Sequence, residues 1–414
     1  MSRRRKRCVM TRTNSPDEND TGTGRYLVLL QEDSAAAGLR TMARTAGLRV
    51  ASTADVSSVG AYDSLREADG LLLHDLGVAV VRAARDQVDY LARAVEEGGP
   101  LAYLEPERLV QAYTAPPTEP GARDDKTGAD RAQESLTWGL QAIGVQDSAA
   151  TGAGIRVAVL DTGFTSDHPD FADRDVEVRS FVDGEDASDG HGHGTHCIGT
   201  ACGPRNPAQG PGYGVAPGAE IYAGKVLSNE GTGTDGDILS GIAWAVNNGC
   251  AVISLSLGAP TRPGDPYSRT FETAARRAMQ RNTLIVAAAG NESDRVAGVI
   301  APVSHPANCP SIMAVGAIDA AKEVANFSCG TVDPNGAIDI VGPGVNIHSS
   351  WTLPEQYNTI SGTSMATPHV AGVAALIAEQ HGARAWELWA RLGQDGLRLP
   401  LPSTDVGAGL VQAP

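Results

Sequence analysis

Beyond residue 135, short apolar runs alternate with amphipathic stretches of helical length. A short apolar run bounded by glycine and polar residues predicts a buried strand, and apolar residues three or four apart predict a helix. Regular alternation of the two predicts an α/β fold with a doubly wound, mainly parallel sheet and a binding crevice at the carboxyl ends of its strands. The predicted strands are 156–160, 220–226, 252–257, 284–288 and 312–315, and the predicted helices include 238–247 and 269–280.

A smaller pattern precedes this body at residues 25–113. Its order of strand and helix signals, β-α-β-β-α-β, predicts a small α+β, ferredoxin-like domain. Its predicted strands are 26–30, a segment near 49–55, 71–81 and 101–110, and its predicted helices are 34–46 and 86–97.

Two segments lack both patterns. Residues 114–135 are rich in proline, glycine and charge, which predicts an extended linker between the small domain and a main body at 136–414. Residues 1–24 are predicted to be a disordered tail. Its basic start at residues 3–7 is followed by polar and acidic residues where the apolar core of a secretion signal would stand, so no export signal is readable.

One serine stands where a nucleophile could be activated. Ser364 follows Gly362 and Thr363 and precedes an apolar run at 365–378 that predicts a buried helix. Free backbone N–H groups and the positive end of the helix dipole favour an anion at such a helix start. The same position also suits an ordinary helix-capping serine.

A base and an orienting acid would distinguish a nucleophile from a cap. The strand predicted at 156–160 runs into Asp161, and His193 stands where a helix is expected to begin. An acid at a strand end, a histidine opening one helix and Ser364 opening another make a plausible catalytic triad.

Four ordered motifs resemble the subtilisin family of serine proteases, the subtilases, over roughly residues 135–395. The Asp, His, Ser order of the chain is that of subtilisin. The resemblance implies an endopeptidase with Asp161, His193 and Ser364 as its triad and the side chain of Asn291 as an oxyanion donor. The motifs are Asp161-Thr162-Gly163, His193-Gly194-Thr195-His196, Ala288-Ala289-Gly290-Asn291 and Gly362-Thr363-Ser364-Met365-Ala366.

The histidines allow a second interpretation. His191, His193 and His196 lie within six residues, and closely spaced histidines are common zinc ligands. No cysteine or carboxylate cluster with zinc-site spacing accompanies them, and the family motif makes His193 the base. His369 is expected to be a packed helix histidine, and His168 a turn residue.

The resemblance also implies where a substrate binds. Two edge segments are expected to pair with an extended peptide as an added strand. The residues after the fourth main-body strand, with Ser304 near the base and a cis His305–Pro306 peptide beside it, are expected to line an uncharged pocket for an apolar or aromatic side chain. The substrate-binding residues so implied are Gly231, Thr232, Gly233, Ser256, Leu257, Gly258, Ala288, Ala289, Gly290 and Ser304.

Residues 25–113 resemble the inhibitory prodomain of the subtilases, most clearly over 102–110. The resemblance implies that the chain is a zymogen that binds its own prodomain and cuts itself after Tyr113, because Gln111, Ala112 and Tyr113 would lie along the substrate-binding edges. A second cut within 114–135 would set the final N-terminus. An unrelated accessory domain is the alternative.

The family requires no cofactor for its chemistry, but structural calcium is possible. Asp170 matches a position that often binds calcium, whereas residues 203–212 lack the asparagine-rich pattern that would complete the site. Cys309 and Cys329 flank one predicted strand and could form a disulfide. Cys197 follows His196 and is expected to be a free buried thiol, as in the proteinase K branch of the family.

Composition limits the partners. With 33 basic and 49 acidic residues the net charge is −16, which argues against nucleic acid as a partner. The sequence contains no run of 18 apolar residues, so it predicts no membrane-spanning helix. We therefore expect a monomer that acts on protein or peptide substrates, extracellular by family resemblance or cytoplasmic if no export route exists. An intracellular processing protease of narrow specificity and a catalytically silent binding protein are the alternative functions.

Overall fold

The computed structural model describes residues 23–55, 68–113, 115 and 135–414. The predicted tail at 1–24 and the predicted linker at 114–135 lie almost entirely outside these residues. Within the described ranges, no helix has the length and apolar character that a membrane span requires.

The N-terminal unit is the predicted α+β structure. A five-stranded sheet in the order β2-β3-β4-β1-β5 carries two helices that pack on each other, and every pairing in it except that of β2 with β3 is antiparallel. Its elements are β1 (Arg25–Leu30), α1 (Ala35–Ala46), β2 (Val50–Ser52), β3 (Gly70–Leu73), β4 (Val78–Arg82), α2 (Arg85–Glu96), β5 (Leu101–Pro106) and β6 (Leu109–Ala112).

Two predicted strands of this unit are each divided in the structure. The segment 71–81 is a hairpin, because the chain turns between β3 and β4 through Gly77, whose φ of 59° suits glycine. The segment 101–110 changes sheet after Pro106. β5 pairs with β1, whereas β6 leaves the unit and pairs with the main body.

The main body contains the predicted parallel sheet. Seven strands in the order β15-β14-β13-β11-β7-β9-β8 pair in parallel throughout. Its strands are β7 (Arg156–Asp161), β8 (Val176–Ser180), β9 (Glu220–Lys225), β11 (Val252–Leu255), β13 (Leu284–Ala288), β14 (Met313–Ile318) and β15 (Ile340–Pro343). Within this sheet the chain starts at β7, places β8 at one edge with β9 between them, and then adds β11, β13, β14 and β15 in sequence on the other side, so the order reverses at β7 as in doubly wound folds.

Helices and smaller sheets complete the main body. The remaining strands are β10 (Thr232–Thr234), β12 (Leu257–Gly258), β16 (Ile347–Ser350) and β17 (Tyr357–Ile360). The helices are α3 (Trp138–Ala142), α4 (His193–Cys202), α5 (Asp235–Asn247), α6 (Arg269–Gln280), α7 (Thr363–His381), α8 (Ala385–Asp395) and α9 (Ser403–Val406).

The core explains why the site is rigid. β11 and β13 are buried along their whole length, as expected for parallel strands covered on both faces. Helix α7 packs against β11, β13, β14 and β15, and its first sixteen residues are buried. On another side, Gly372 lets α7 lie close to the segment between α4 and β9, since a Cβ there would stand 2.5 Å from the Cβ of Val215.

Candidate active site

An acid and a histidine meet at the start of helix α4. β7 ends at Asp161 and α4 begins at His193, and Asp161 Oδ1 lies 2.7 Å from His193 Nδ1, with both side chains buried. Burial lowers the pKa of His193, but the Asp161 carboxylate outweighs burial and, with a smaller contribution from Cys197, raises the pKa well above the ordinary histidine value. The imidazole is therefore held in one orientation beside a group that stabilises its charged form.

Asp189, which the motifs did not single out, holds this helix start in place. Its Oδ1 accepts hydrogen bonds from the backbone N–H groups of His191 and Gly192 and from the Thr162 hydroxyl. Its Oδ2 accepts both the backbone N–H and the hydroxyl of Thr195. An acidic residue just before a helix is a recognisable capping signal, and here it also ties the helix to the turn after Asp161.

Two glycines allow the turn and the helix to approach each other. A Cβ at Gly194 would stand 2.4 Å from the carbonyl oxygen of Gly163, closer than real contacts permit. Gly163 has a φ of 113°, in the region that favours glycine. The distance between Asp161 and His193 therefore depends on the absence of a side chain at residue 194.

Ser364 lies in the first turn of α7, and its carbonyl and hydroxyl groups are contacted by residues outside that helix. Pro368 has no N–H to donate to the Ser364 carbonyl four residues earlier. That carbonyl instead accepts a bond from the Ser256 hydroxyl at 2.8 Å and lies 3.6 Å from Cys197 Sγ. The Ser364 hydroxyl donates to the Ser256 carbonyl at 2.8 Å, and His193 Nε2 is buried without a hydrogen-bond partner.

Asn291 presents an unused donor beside Ser364. Its Oδ1 accepts bonds from the backbone N–H and the hydroxyl of Thr363, at 3.0 and 2.9 Å, which leaves its Nδ2 buried and without a partner. A Cβ at Gly362 would stand 3.1 Å from this Nδ2 and 2.8 Å from the Tyr113 carbonyl oxygen. A free amide donor and a peptide carbonyl thus lie next to the same glycine.

Strand β6 occupies the position predicted for an extended substrate. It pairs antiparallel with β10 on one side and with β12 on the other. The backbone N–H of Ala112 also donates to the Gly231 carbonyl, and that of Tyr113 to the Ser256 carbonyl. The predicted segments 231–233 and 256–258 are therefore the two edges that hold the last residues of the N-terminal unit.

The Tyr113 side chain fills a pocket whose polarity differs from the prediction. It is buried against Gly258, and its hydroxyl has no hydrogen-bond partner. Burial and the nearby Glu292 carboxylate raise the pKa of Tyr113 well above its usual value. Glu292 Oε2 accepts bonds from Ser304 and Cys329, so the expectation of a pocket without charge is wrong. Gly290 turns the chain back (φ 111°) and brings the carboxylate here.

Two further residues expected in the pocket, Ala288 and Ala289, lie at the carboxyl end of strand β13. Ala288 ends β13, and Ala289 exchanges backbone hydrogen bonds with Val315 and Ser304. The His305–Pro306 peptide is cis, as predicted.

Three other histidines, His168, His196 and His369, pack in the interior. His196 and His369 are fully buried, and burial lowers their pKa values to about 3 and about 4. His168 is buried and bonds to the Gln356 carbonyl. In the described part of the chain, the one group whose candidate ligand atoms lie within 4.8 Å of one another is Asp161, His193 and Cys197, so the three-histidine zinc interpretation is not supported.

The cysteine prediction is wrong in one respect. Cys309 and Cys329 are both free and buried rather than bridged. Cys309 contacts the Ser268 carbonyl, while Cys329 contacts Glu292. Cys197 is a free buried thiol, as predicted, with its sulfur 3.8 Å from His193 Nδ1.

The surroundings of Asp170 do not fit calcium. Its Oδ2 accepts hydrogen bonds from the hydroxyls of Tyr213 and Tyr357, and its Oδ1 accepts the backbone N–H of Ala208. Calcium is bound by oxygen lone pairs, whereas three donors point at this carboxylate. Both oxygens are therefore used in holding the loop at 203–212 against the β16–β17 hairpin.

Comparison with known proteins agrees with the geometry. A family model described as "Subtilase family" matches residues 152–392. The chain is 42% identical to Subtilisin Savinase of Lederbergia lenta over 286 residues, covering 68% of this chain and 98% of that protein. It is 42% identical to an alkaline protease of Alkalihalobacillus alcalophilus (68% and 69% covered) and 38% identical to Subtilisin E of Bacillus subtilis (66% and 69%).

We expect Gly194→Ala to separate His193 from Asp161, because the added methyl group would meet the Gly163 carbonyl. Peptidase activity should fall by about 100-fold or more, and the melting temperature should drop as the turn and helix move apart. Hydrolysis rates and thermal melts measure the two effects.

The matched control is Gly393→Ala. Gly393 lies in α8, and a Cβ there would stand 3.8 Å from Ala408 in ordinary contact, so both properties should be retained. A fully active Gly194→Ala protein would show that the close approach is not required.

Calcium should not act through Asp170. Asp170→Asn should lower stability by about 1–2 kcal/mol, because two tyrosine hydroxyls lose a charged acceptor. Any shift in melting temperature produced by calcium should be the same in the wild-type protein and in this variant. A calcium shift present in the wild type and absent from Asp170→Asn would place the ion at this carboxylate.

Proposed function

Because the chain belongs to the subtilase family and is a serine endopeptidase, we propose that it is a self-processing zymogen in which residues 25–113 are the inhibitory prodomain. The observation that carries this proposal is the course of β6, which lies between β10 and β12 and delivers the Tyr113 carbonyl to the side of Asn291. A peptide in this position can be cleaved as a substrate, and until its fragment leaves it blocks the cleft to other substrates.

The chemistry assigns one role to each member of the site. Ser364 Oγ attacks the Tyr113 carbonyl carbon while His193 Nε2 takes the hydroxyl proton. Asp161 holds the imidazole through Nδ1 and stabilises the imidazolium. The free Nδ2 of Asn291 and the backbone N–H of Ser364 stabilise the oxyanion.

Collapse of the tetrahedral intermediate breaks the bond between Tyr113 and residue 114. His193 returns the proton to the leaving amine, and water then hydrolyses the acyl-enzyme by the same route. In the structure the Ser364 hydroxyl points at the Ser256 carbonyl, so rotation about its Cα–Cβ bond precedes attack.

Charged contacts outside the cleft support an inhibitory role for the N-terminal unit. The Glu107 carboxylate accepts the backbone N–H of Gly236 in the first turn of α5, and Glu105 accepts the backbone N–H of Thr270 in the first turn of α6. Both carboxylates are buried at positive helix ends. Arg25 pairs with Glu107 at 2.7 Å within the small domain and lies 3.5 Å from Asp237 of α5, so the small domain contacts the main body through more than β6.

We propose a preference for tyrosine and other aromatic residues before the cleaved bond, with long basic residues also accepted. The buried Tyr113 supports the first part. Glu292 at the pocket base supports the second, because its carboxylate would bind a cation that displaced the neutral Ser304 and Cys329 donors. An extracellular site of action remains a prediction from the family resemblance.

Ser364→Ala should accumulate as the full-length chain, whereas the wild-type chain should yield a fragment whose N-terminal sequence begins at Thr114. The variant lacks the nucleophile but keeps the fold that seats β6. Mass spectrometry and N-terminal sequencing of freshly purified protein test both statements. Processing of Ser364→Ala at Tyr113 in protein free of other proteases would refute self-cleavage, and a first cut within residues 25–112 would refute the prodomain assignment.

The acid limb of the activity profile should lie above pH 6.5. The folded protein raises the pKa of His193, and a protonated imidazole cannot accept the Ser364 proton, so activity is lost as pH falls through that raised value. Asp161→Asn should move this limb to lower pH and reduce kcat by about 1000-fold or more. An unchanged acid limb in Asp161→Asn would mean that another group titrates.

A further inference from the structure

The backbone ladder that holds β6 does not end with strand β10. Asp235, the first residue of α5, follows β10 directly, and its backbone N–H donates to the Arg108 carbonyl at 3.1 Å. Its side-chain Oδ2 accepts the Arg108 backbone N–H, also at 3.1 Å. The Asp235 carboxylate thus accepts the hydrogen bond that the next backbone carbonyl of the ladder would otherwise accept. Its partner, Arg108, stands five residues before Tyr113.

The same carboxylate faces the side chain of that residue. Asp235 Oδ2 lies 3.4 Å from Arg108 Nη1, and the Asp235 side chain is fully buried while Arg108 is about one-third exposed. Arg108 Nη2 also lies 3.5 Å from Glu105 of the N-terminal unit. The guanidinium therefore sits between one carboxylate of the main body and one of its own domain.

The main body contacts Asp235 through His305 as well. His305 Nε2 lies 2.8 Å from Asp235 Oδ1, on the side away from Arg108, and the His305 ring packs edge-on against Phe271 at 4.6 Å. Burial raises the pKa of Asp235, but His305 and Arg108 outweigh burial and lower it. Removing the prodomain would leave Asp235 Oδ1 held by His305 and Oδ2 without its Arg108 partner.

We propose that Asp235 and His305 form a subsite of the processed enzyme that selects substrates with arginine five residues before the residue at which the chain is cut. This rests on the proposed function, since it assigns to substrates the path that β6 takes. A charge-assisted bond to the Asp235 carboxylate adds affinity at a position where the neighbouring side chain, Leu109, is 59% exposed and contributes little.

The test uses three acetylated, internally quenched peptides and the processed enzyme. The first has the sequence of residues 107–115, which leaves out Glu105 so that Arg108 can pair with the enzyme alone. The second replaces Arg108 by citrulline, which has the same shape without the charge. The third has citrulline at 108 and arginine at 109, so its net charge equals that of the first.

We expect kcat/KM for the first peptide to exceed that for each of the others by about fivefold at low salt, and the advantage to shrink as ionic strength rises. In Asp235→Asn the kcat/KM values of the three peptides should agree with one another within about twofold. Equal rates for the first and second peptides would overturn the proposed subsite. Equal rates for the first and third would overturn it too, because the enzyme would then attract a positive charge without selecting its position. Failure to cut any peptide would instead count against the proposed function.

Discussion

Parallel pairing of β7 with β11 and of β11 with β13 brings three strand ends to one edge of the sheet, and the site is built on that edge. Asp161 is the last residue of β7, Ser256 follows β11, and Asn291 follows β13 within three residues. Helices α4 and α7, which pack on each other, begin at the same edge and bring His193 and Ser364. Because the strands are buried, the backbone positions of these groups are fixed by the packing of the core.

The sequence predicted the parts of the site that lie next to a change in local pattern. Asp161 ends an apolar strand, and Ser364 opens an apolar helix, so each is visible from its neighbours. Glu292 was not recognisable as a pocket residue, since its position depends on the turn at Gly290 and on contact with Cys329, 37 residues away. The partners of Asp170 are 43 and 187 residues away, which is why its sequence position favoured calcium and its contacts do not.

The fold, like the site, was predictable where it depends on neighbouring residues and not where it depends on distant ones. The parallel sheet was predictable because each β-α unit repeats one pattern, and α1 and α2 were predictable from their spacing of apolar residues. The hairpin within 71–81 and the change of sheet after Pro106 were not, because an apolar run does not reveal which partner each of its halves will pair with. The change of sheet after Pro106 has the larger effect on function. It separates β5, which belongs to the sheet of the small domain, from β6, which lies between β10 and β12 of the main body.

Pro368 makes the first turn of α7 depend on residues far away in the sequence. An ordinary helix would fix the Ser364 carbonyl through its own next turn, whereas here the bonds come from Ser256, more than 100 residues earlier, and from Cys197, earlier still. The first turn of α7 therefore acquires its shape from tertiary contacts rather than from local folding. A chain whose helices had formed before its core closed would lack both of these contacts to the Ser364 carbonyl.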